Sequence, residues 1–424
     1  MKRNLCVLVM VLMTVYGWSE VKNTDLLETW ATVGICDTTW YNEETKVFTL
    51  STPAELGGLA YLVNKSKIVG DTILLSADID LSAHSWMPIG YTNAFSGVFD
   101  GQGHTISGIK DLEYLDNAGG FFGNLCFAFI SNLNFSADND IALYGVATGS
   151  VAGLALLSAI YNCHNEAAVH GDINVGGILG NGSLVSIFNC SNYGFVAGDG
   201  DMNGIYGTHV GGIVGSMSGS VCNSYNMGAV NGVDTVGGII GIGSSLIIKN
   251  CYSHGAVEGE SAAGGIIAVL TDAKSTVAFN NYWQAADCNQ SSDFGTKKDN
   301  AWMKASTGML AELNDSVDAN NLTTKAILWK KWEIVEDKNN GYPIFVSSTT
   351  GVNEVLAADM PNVYVANREI MVAGVAGKTL SMYNISGQLI TNKVAATDYE
   401  TLKAPDAGIY IVCIDNAAVK VVVK

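Results

Sequence analysis

Glycine pairs that introduce an apolar run recur through the middle of this 424-residue sequence, and a second element follows each of them. The first element reads AGGFFG at Ala118–Gly123, VGGILG at Val175–Gly180, VGGIVG at Val210–Gly215, VGGIIG at Val236–Gly241 and AGGIIA at Ala263–Ala268. SVAGLA at Ser150–Ala155 is a degenerate copy. The second reads IYNCHNEAAV (Ile160–Val169), IFNCSNYGFV (Ile187–Val196), VCNSYNMGAV (Val221–Val230) and IKNCYSHGAV (Ile248–Val257), with a worn copy, AFNNYWQAA, at Ala278–Ala286. The asparagines Asn162, Asn189, Asn223, Asn250 and Asn280 step by 27, 34, 27 and 30 residues. A period of that size marks a solenoid or an array.

The units are rich in Gly, Val, Ile and Asn, hold almost no Lys, Glu or Arg, and lack an apolar 3.6-residue period. Short strands between glycine turns are therefore favoured over helical repeats. A parallel β-helix satisfies the pattern, each repeat forming one coil that pairs its backbone with the next. Equivalent residues then stack at about one strand spacing, roughly 4.8 Å. The repeated glycine either takes positive φ at a corner or stands where no side chain fits. A β-propeller is the structural alternative, but its blades need about 40 residues and four strands.

Register settles how KNCYSHGAVEG (Lys249–Gly259) is read. Alone, Asn250, Cys251 and His254 resemble a Cys/His nucleophile. In register, the positions equivalent to Cys251 hold Cys163, Cys190, Ser224 and Asn281, small side chains suited to a narrow interior. The positions of His254 hold Glu166, Tyr193, Met227 and Gln284, with no shared chemistry, so His254 reads as a variable outer residue. A nucleophile needs its base specified beside it. The asparagine column is expected to hydrogen-bond along the stack or to turn backbone.

Charged residues make up 15% of the chain and its formal net charge is −18. Between Asp111 and Gln290 the only basic side chains besides His are Lys249 and Lys274. Nucleic-acid binding needs clustered Lys and Arg, which this surface does not supply. The N-terminal residues MKRNLCVLVMVLMTVYGWSEV have a basic start, an apolar run and then small residues, the layout of a secretory signal peptide. No stretch of the remaining chain is long and apolar enough for a transmembrane helix. After cleavage eight cysteines remain, with no CxxC pair and no small-domain framework.

The ends of a solenoid must be covered. In STPAELGGLAYLVN (Ser51–Asn64), Thr52 and Glu55 have capping-box spacing and Pro53 falls at the first helical position. Leu56, Leu59, Ala60, Leu62 and Val63 give that helix an apolar face. WEIVEDKNNGYPIF (Trp332–Phe345) reads as a closing strand and aromatic plug, and SSDFGTKKDNAW (Ser291–Trp302) as a solvated loop. Beyond them NVYVANREIMVAGV, TLSMYNISGQLI, GIYIVCID and VKVVVK are short alternating strands, a small sandwich in about sixty residues. The expected fold is all-β: a parallel β-helix solenoid with a short N-terminal capping helix, followed by a small C-terminal β-sandwich domain.

Three stretches resemble known families. The GGIxG…NCxxxGAV units resemble the GLUG motif repeats of secreted, adhesin-like bacterial surface proteins, which implies a right-handed parallel β-helix. Leu74–Ile109 is similar to the segment that precedes such repeats, and NNGYPIF (Asn339–Phe345) to the motif that closes them. LSMYNISGQLI…GIYIVCIDNAAVKVVVK resembles a type IX secretion sorting domain, which implies passage through the outer membrane of a Gram-negative bacterium and display or release outside it. The organisation expected is a signal peptide over 1–19, the cap and first coils over 20–118, GLUG-type repeats over 119–290, a closing segment over 291–346, a linker over 347–361 and the sorting-type sandwich over 362–424.

The GLUG motif carries no catalytic residues, so any chemistry must come from elsewhere. Asp78 and Asp80 alternate onto one strand face and are the candidate carboxylate pair for glycoside hydrolysis. A lyase acting on acidic sugars would need a base and cations that the coils lack. DGDMNG (Asp199–Gly204) has the Asp-x-Asp-x-Asn-Gly order that opens a calcium loop, so Asp199, Asp201 and Asn203 are candidate calcium ligands. The loop's twelfth position is Val210 and not a bidentate Glu. The six histidines share no metal spacing. Tyr193, Tyr225, Tyr252 and Tyr282 offer either exposed rings for sugars or packing at successive coils. The reading favoured is a surface-displayed, non-enzymatic protein that binds a glycan or a host or neighbouring surface protein and meets the export machinery through its C-terminal domain. A β-helical polysaccharide-active enzyme and a structural matrix component are the alternatives.

Overall fold

The computed structural model describes residues 28–68, 70–110, 112, 115, 117–198, 201–202, 205–206, 209–284, 294–323, 328–346, 362–366, 369–373, 377–384, 389–397, 399–406, 408–414 and 417–423. The chain divides into two compact units. The first comprises Met1–Leu313 and Ile334–Pro343, the second Asn314–Glu333 and Ile344–Lys424.

The first unit is a parallel β-helix of about eight turns. Its coils build four sheets of 12, 9, 6 and 5 strands, every pair in them parallel. A typical coil runs from Asn174–Gly176 into the ten-residue strand Leu179–Phe188, turns at Asn189 into Ser191–Asn192, and closes through Val196–Gly198. Register is strict. Val175 pairs with Val210, Val210 with Val236 and Val236 with Ala263.

That register stacks like on like in the interior. Ile178, Ile213, Ile239 and Ile266 form one fully buried column, and Val169, Val196, Val230 and Val257 another. Each such side chain contributes roughly 1.5–3 kcal/mol of burial. From Gly176–Gly177 onward the paired glycines are explained by close approach and not by positive φ. A Cβ on Gly212 would lie 2.2 Å from the Gly238 carbonyl oxygen and 2.4 Å from Asn226 Cγ. Nothing larger than hydrogen fits.

Helix α1 (Pro53–Asn64) carries the capping box that its sequence predicts. Glu55 N donates to Thr52 Oγ1 at 3.3 Å and Thr52 N donates to Glu55 Oε2 at 2.9 Å. Its Leu56, Leu59, Ala60, Leu62 and Val63 are buried in the solenoid core. After the last repeats, the described part of the segment expected to be a solvated loop, residues 294–302, holds regular structure. Strand Thr296–Lys298 pairs with Tyr282–Gln284, and helix α2 (Asn300–Met303) follows, its N-terminus capped by Asp299. Helix α3 spans Met309–Thr323. Among the described residues no helix is long and apolar enough to cross a membrane.

In the second unit Asn362–Ala366, Glu369–Ala373 and Tyr399–Lys403 form one antiparallel sheet. Leu389–Val394, Thr379–Asn384, Gly408–Ile414 and Ala417–Val423 form a second. Ile370, Val372 and Leu402 of the first meet Leu380, Met382, Val412 and Ile414 of the second in one core, the expected small sandwich.

Candidate functional site

The expected asparagine column is present. Asn132, Asn162, Asn189, Asn223, Asn250 and Asn280 all have φ between 48° and 59°. Asparagine tolerates this left-handed turn better than other side chains. Asn162 Nδ2 donates to Asn132 Oδ1 at 2.6 Å, Asn223 to Asn189 at 2.7 Å, Asn250 to Asn223 at 2.6 Å and Asn280 to Asn250 at 2.7 Å. The ladder ends on buried Asp100, whose Oδ1 accepts Asn132 Nδ2 at 2.9 Å. At its other end Tyr282 Oη donates to Asn280 Oδ1.

A second column, missed at the sequence level, runs three residues later through Asn165, Asn192 and Asn226, all fully buried. Asn165 Nδ2 donates to Asn192 Oδ1, and Asn192 to Asn226, both at 2.8 Å, so its donors point the opposite way along the solenoid. The N-C-x-N spacing in the repeats was its signal.

Cys163, Cys190 and Cys251 occupy the interior column assigned to them. The residue after each left-handed asparagine leaves the sheet, and its amide is satisfied by the side chain one coil later. Cys163 N donates to Cys190 Sγ at 3.5 Å, Cys190 N to Ser224 Oγ at 3.1 Å and Cys251 N to Asn281 Oδ1 at 3.1 Å. Burial pushes the Cys251 and Cys163 thiols well above their ordinary range. A neutral, enclosed thiol is no nucleophile. Cys126 is disulfide-bonded, whereas these cysteines are free. The His254 ring packs 4.1 Å from the Tyr342 ring, so it is half-buried against a distant segment instead of standing outside.

Three of the four tyrosines are covered as well, while Tyr193 is half-buried. Tyr225, Tyr252 and Tyr282 are 3%, 0% and 7% exposed, which removes them as sugar platforms. Tyr225 and Tyr252 stack with centroids 5.0 Å apart. The NNGYP loop lies on them from the side: Tyr252 Oη donates to the Pro343 carbonyl at 2.5 Å, and Asn339 Nδ2 donates to Tyr252 Oη at 3.0 Å. The motif read as an end plug therefore acts partly as a lateral strap.

The outer face of the long sheet is open to solvent. The backbone turns through positive φ midway along three of its strands, at Leu184, Gly219 and Ser245, and between consecutive strands of the two preceding coils at Phe127 and Leu157. Such values are rare for bulky residues. They persist because a hydroxyl of the following coil takes an amide at or beside the bend: Ala128 N to Ser158, Leu184 N to Ser218 and Leu246 N to Thr276, each at 3.1 Å. The bend leaves a shallow groove of ≈ 320 Å³ across successive coils, lined chiefly by Asn181, Ser183, Ser216, Ser218, Ser244 and Thr271. His209, whose Nδ1 lies 2.8 Å from Thr235 Oγ1, is the one titratable residue lining it. The lining donates and accepts hydrogen bonds and carries no carboxylate.

The fold is a parallel β-helix. A solved structure with which it shares likeness is the crystal structure of a "putative immunoglobulin A1 protease" from Bacteroides ovatus, with a TM-score of 0.49 and 21% identity over 72% of this chain and 93% of that one. Residues 350–423 match a domain of unknown function (DUF6383). No curated protein sequence matches the chain.

The two carboxylates proposed for hydrolysis are not brought together across a cleft. Asp78 Oδ1 accepts Thr105 N at 2.9 Å and lies 3.1 Å from His104 Nδ1, while Asp80 Oδ1 accepts Ser82 N at 2.9 Å. These backbone hydrogen bonds hold both carboxyls below the usual range, the wrong direction for a general acid. Of the calcium candidates, Asp199 and Asn203 lie outside the described residues, and Asp201 begins the short strand Asp201–Met202, paired antiparallel with Ile205–Tyr206. Among the described residues no group of three His, Cys, Asp or Glu could hold a metal ion.

Proposed function

We propose that this chain is a binding protein displayed outside the cell, and that its long-sheet groove holds a neutral glycan or a polar protein segment without turning it over. The observation that carries the reading is the groove itself. Hydroxyl and amide side chains from successive coils line it at strand spacing, held on a rigid hydrogen-bonded backbone. Such a surface supplies specificity through hydrogen bonds at little ordering cost. Hydrolysis of a glycoside would need two carboxyl groups facing one another, and the groove's lining supplies none.

Export is part of the proposal, supported by the N-terminal basic-apolar-small pattern and by the likeness of the C-terminal strands to a sorting domain. The repeats' likeness to GLUG units supports an adhesive role. Screening the purified chain against a panel of neutral glycans, with product analysis of every ligand retained, tests the reading. Retention without shortened product supports it, and release of cleaved sugar sinks it.

A further inference from the structure

One surface departs from the acidic character of the chain. Between Phe294 and Lys304 the sequence holds Lys297, Lys298 and Lys304 against a single carboxylate, Asp299, in a chain whose net charge is −18. Asp299 is engaged, since its Oδ1 accepts Trp302 N at 2.8 Å and caps helix α2. The three ammonium groups rest on aromatic rings: Lys297 Nζ is 5.1 Å from the Trp283 centroid, Lys298 Nζ 4.3 Å from Trp302 and Lys304 Nζ 4.7 Å from Tyr342. Among the described residues the lysine–carboxylate ion pairs are Lys46–Asp71, Lys331–Asp318 and Lys393–Glu400, and none takes these three.

The rings are held as one assembly. Trp302 packs 4.8 Å from Tyr282, and Tyr342 Oη donates to Asn300 Oδ1 on the same short helix. Trp302 itself stays half-exposed, and Lys297 and Lys304 are exposed. Lys304 also lines a groove of ≈ 660 Å³ together with Glu336 and Asp337, so its share of the positive surface is the one set beside carboxylates. A lysine over an aromatic face at an exposed site is attracted only weakly. An anion can therefore take the ammonium while the ring stays in place for a sugar face.

We propose that Lys297, Lys298 and Lys304, with Trp302, form a site for an acidic polysaccharide. The lysines meet its carboxylate or sulfate groups and the indole meets a pyranose ring. This site is separate from the long-sheet groove, and it is salt-sensitive where the groove is not.

The test is affinity electrophoresis of the full chain in gels holding polygalacturonate, dextran sulfate or uncharged dextran, with an oligonucleotide competitor. Retardation by either acidic polymer, weakening with salt, supports the site, and the polymer retained says whether carboxylate or sulfate is its anion. K297Q/K298Q/K304Q weakens retention roughly tenfold or more, the combined effect of three exposed ion pairs. Its thermal midpoint stays within a few degrees of the parent, because among the described residues these side chains form no ion pair that holds the fold. W302F, which keeps a ring, retains most of the binding. No retardation by either acidic polymer, equal retardation by dextran, tighter binding of the oligonucleotide, or an unaffected triple variant overturns the proposal.

Discussion

Asn250 Nδ2 donates to Asn223 Oδ1 at 2.6 Å, and both residues stand fully buried at left-handed φ. One residue type thus meets two demands at each coil, a strained turn and a self-pairing amide. Asn223→Ala should cost about 3 kcal/mol, combining roughly 1–2 for the left-handed turn with 1–3 for partners left unsatisfied. Asn223→Gly should cost less, since glycine removes the first part. Urea denaturation of the two variants checks the order, and equal losses would deny the backbone contribution.

Gly212 has no room for a methyl group, with a carbonyl oxygen 2.2 Å from where Cβ would sit. Gly103, at φ +83° with nothing within 4 Å of its Cβ site, has space but an unfavourable backbone. Gly212→Ala should therefore prevent folding of the repeats or cost more than about 3 kcal/mol, and Gly103→Ala about 1–2. Circular dichroism melts of both variants compare the two mechanisms directly.

The buried thiols should shape alkaline stability. Burial pushes Cys222 from 9.0 up to about 12 and Cys413 up to about 11. The unfolded chain ionises first, so their contribution is complete below about pH 9 and is lost as pH rises through the folded values. Each thiol held neutral then costs up to about 1.4 kcal/mol per pH unit. The urea midpoint should stay level from pH 7 to 9 and fall from 9 to 11, and native Cys163, Cys190 and Cys251 should resist thiol reagents at pH 8. A midpoint still level at pH 11 contradicts this.

Tyr252 Oη bonds to the Pro343 carbonyl and to Asn339 Nδ2, 91 and 87 residues away in sequence. Tyr252→Phe should lower stability by about 1–3 kcal/mol by leaving that buried carbonyl short of a donor. Hydrogen exchange should quicken locally at Asn339–Gly341 and Tyr252–Ser253. Unchanged exchange there would mean that the strap is held by ring packing alone.

The coil period, the asparagine turns, the interior cysteines and the capping box of α1 were legible because each rests on local chemistry repeated in register. The tyrosine face was not, since its cover arrives from Asn339–Pro343 and no periodicity announces a partner that far away. The second asparagine column escaped because Ser253 interrupts it and Asn165 is followed by no glycine. The groove was invisible for another reason. It lies beside the left-handed bends at Leu184, Gly219 and Ser245, which stand in the middle of strand-patterned runs, and Leu184 is a residue type that carries no turn signal.

The groove is where the functional account is most exposed to failure. Ser216→Trp and Ser244→Trp place bulk in it at half-exposed positions, with little effect expected on the core beneath. Titration calorimetry of a retained neutral glycan against parent and variants is the direct measurement, followed by chromatography of the recovered glycan. Binding lost in both variants, with glycan recovered at its original length, is the predicted result. Undiminished binding by the variants, or glycan returned shortened by the parent, would contradict the account.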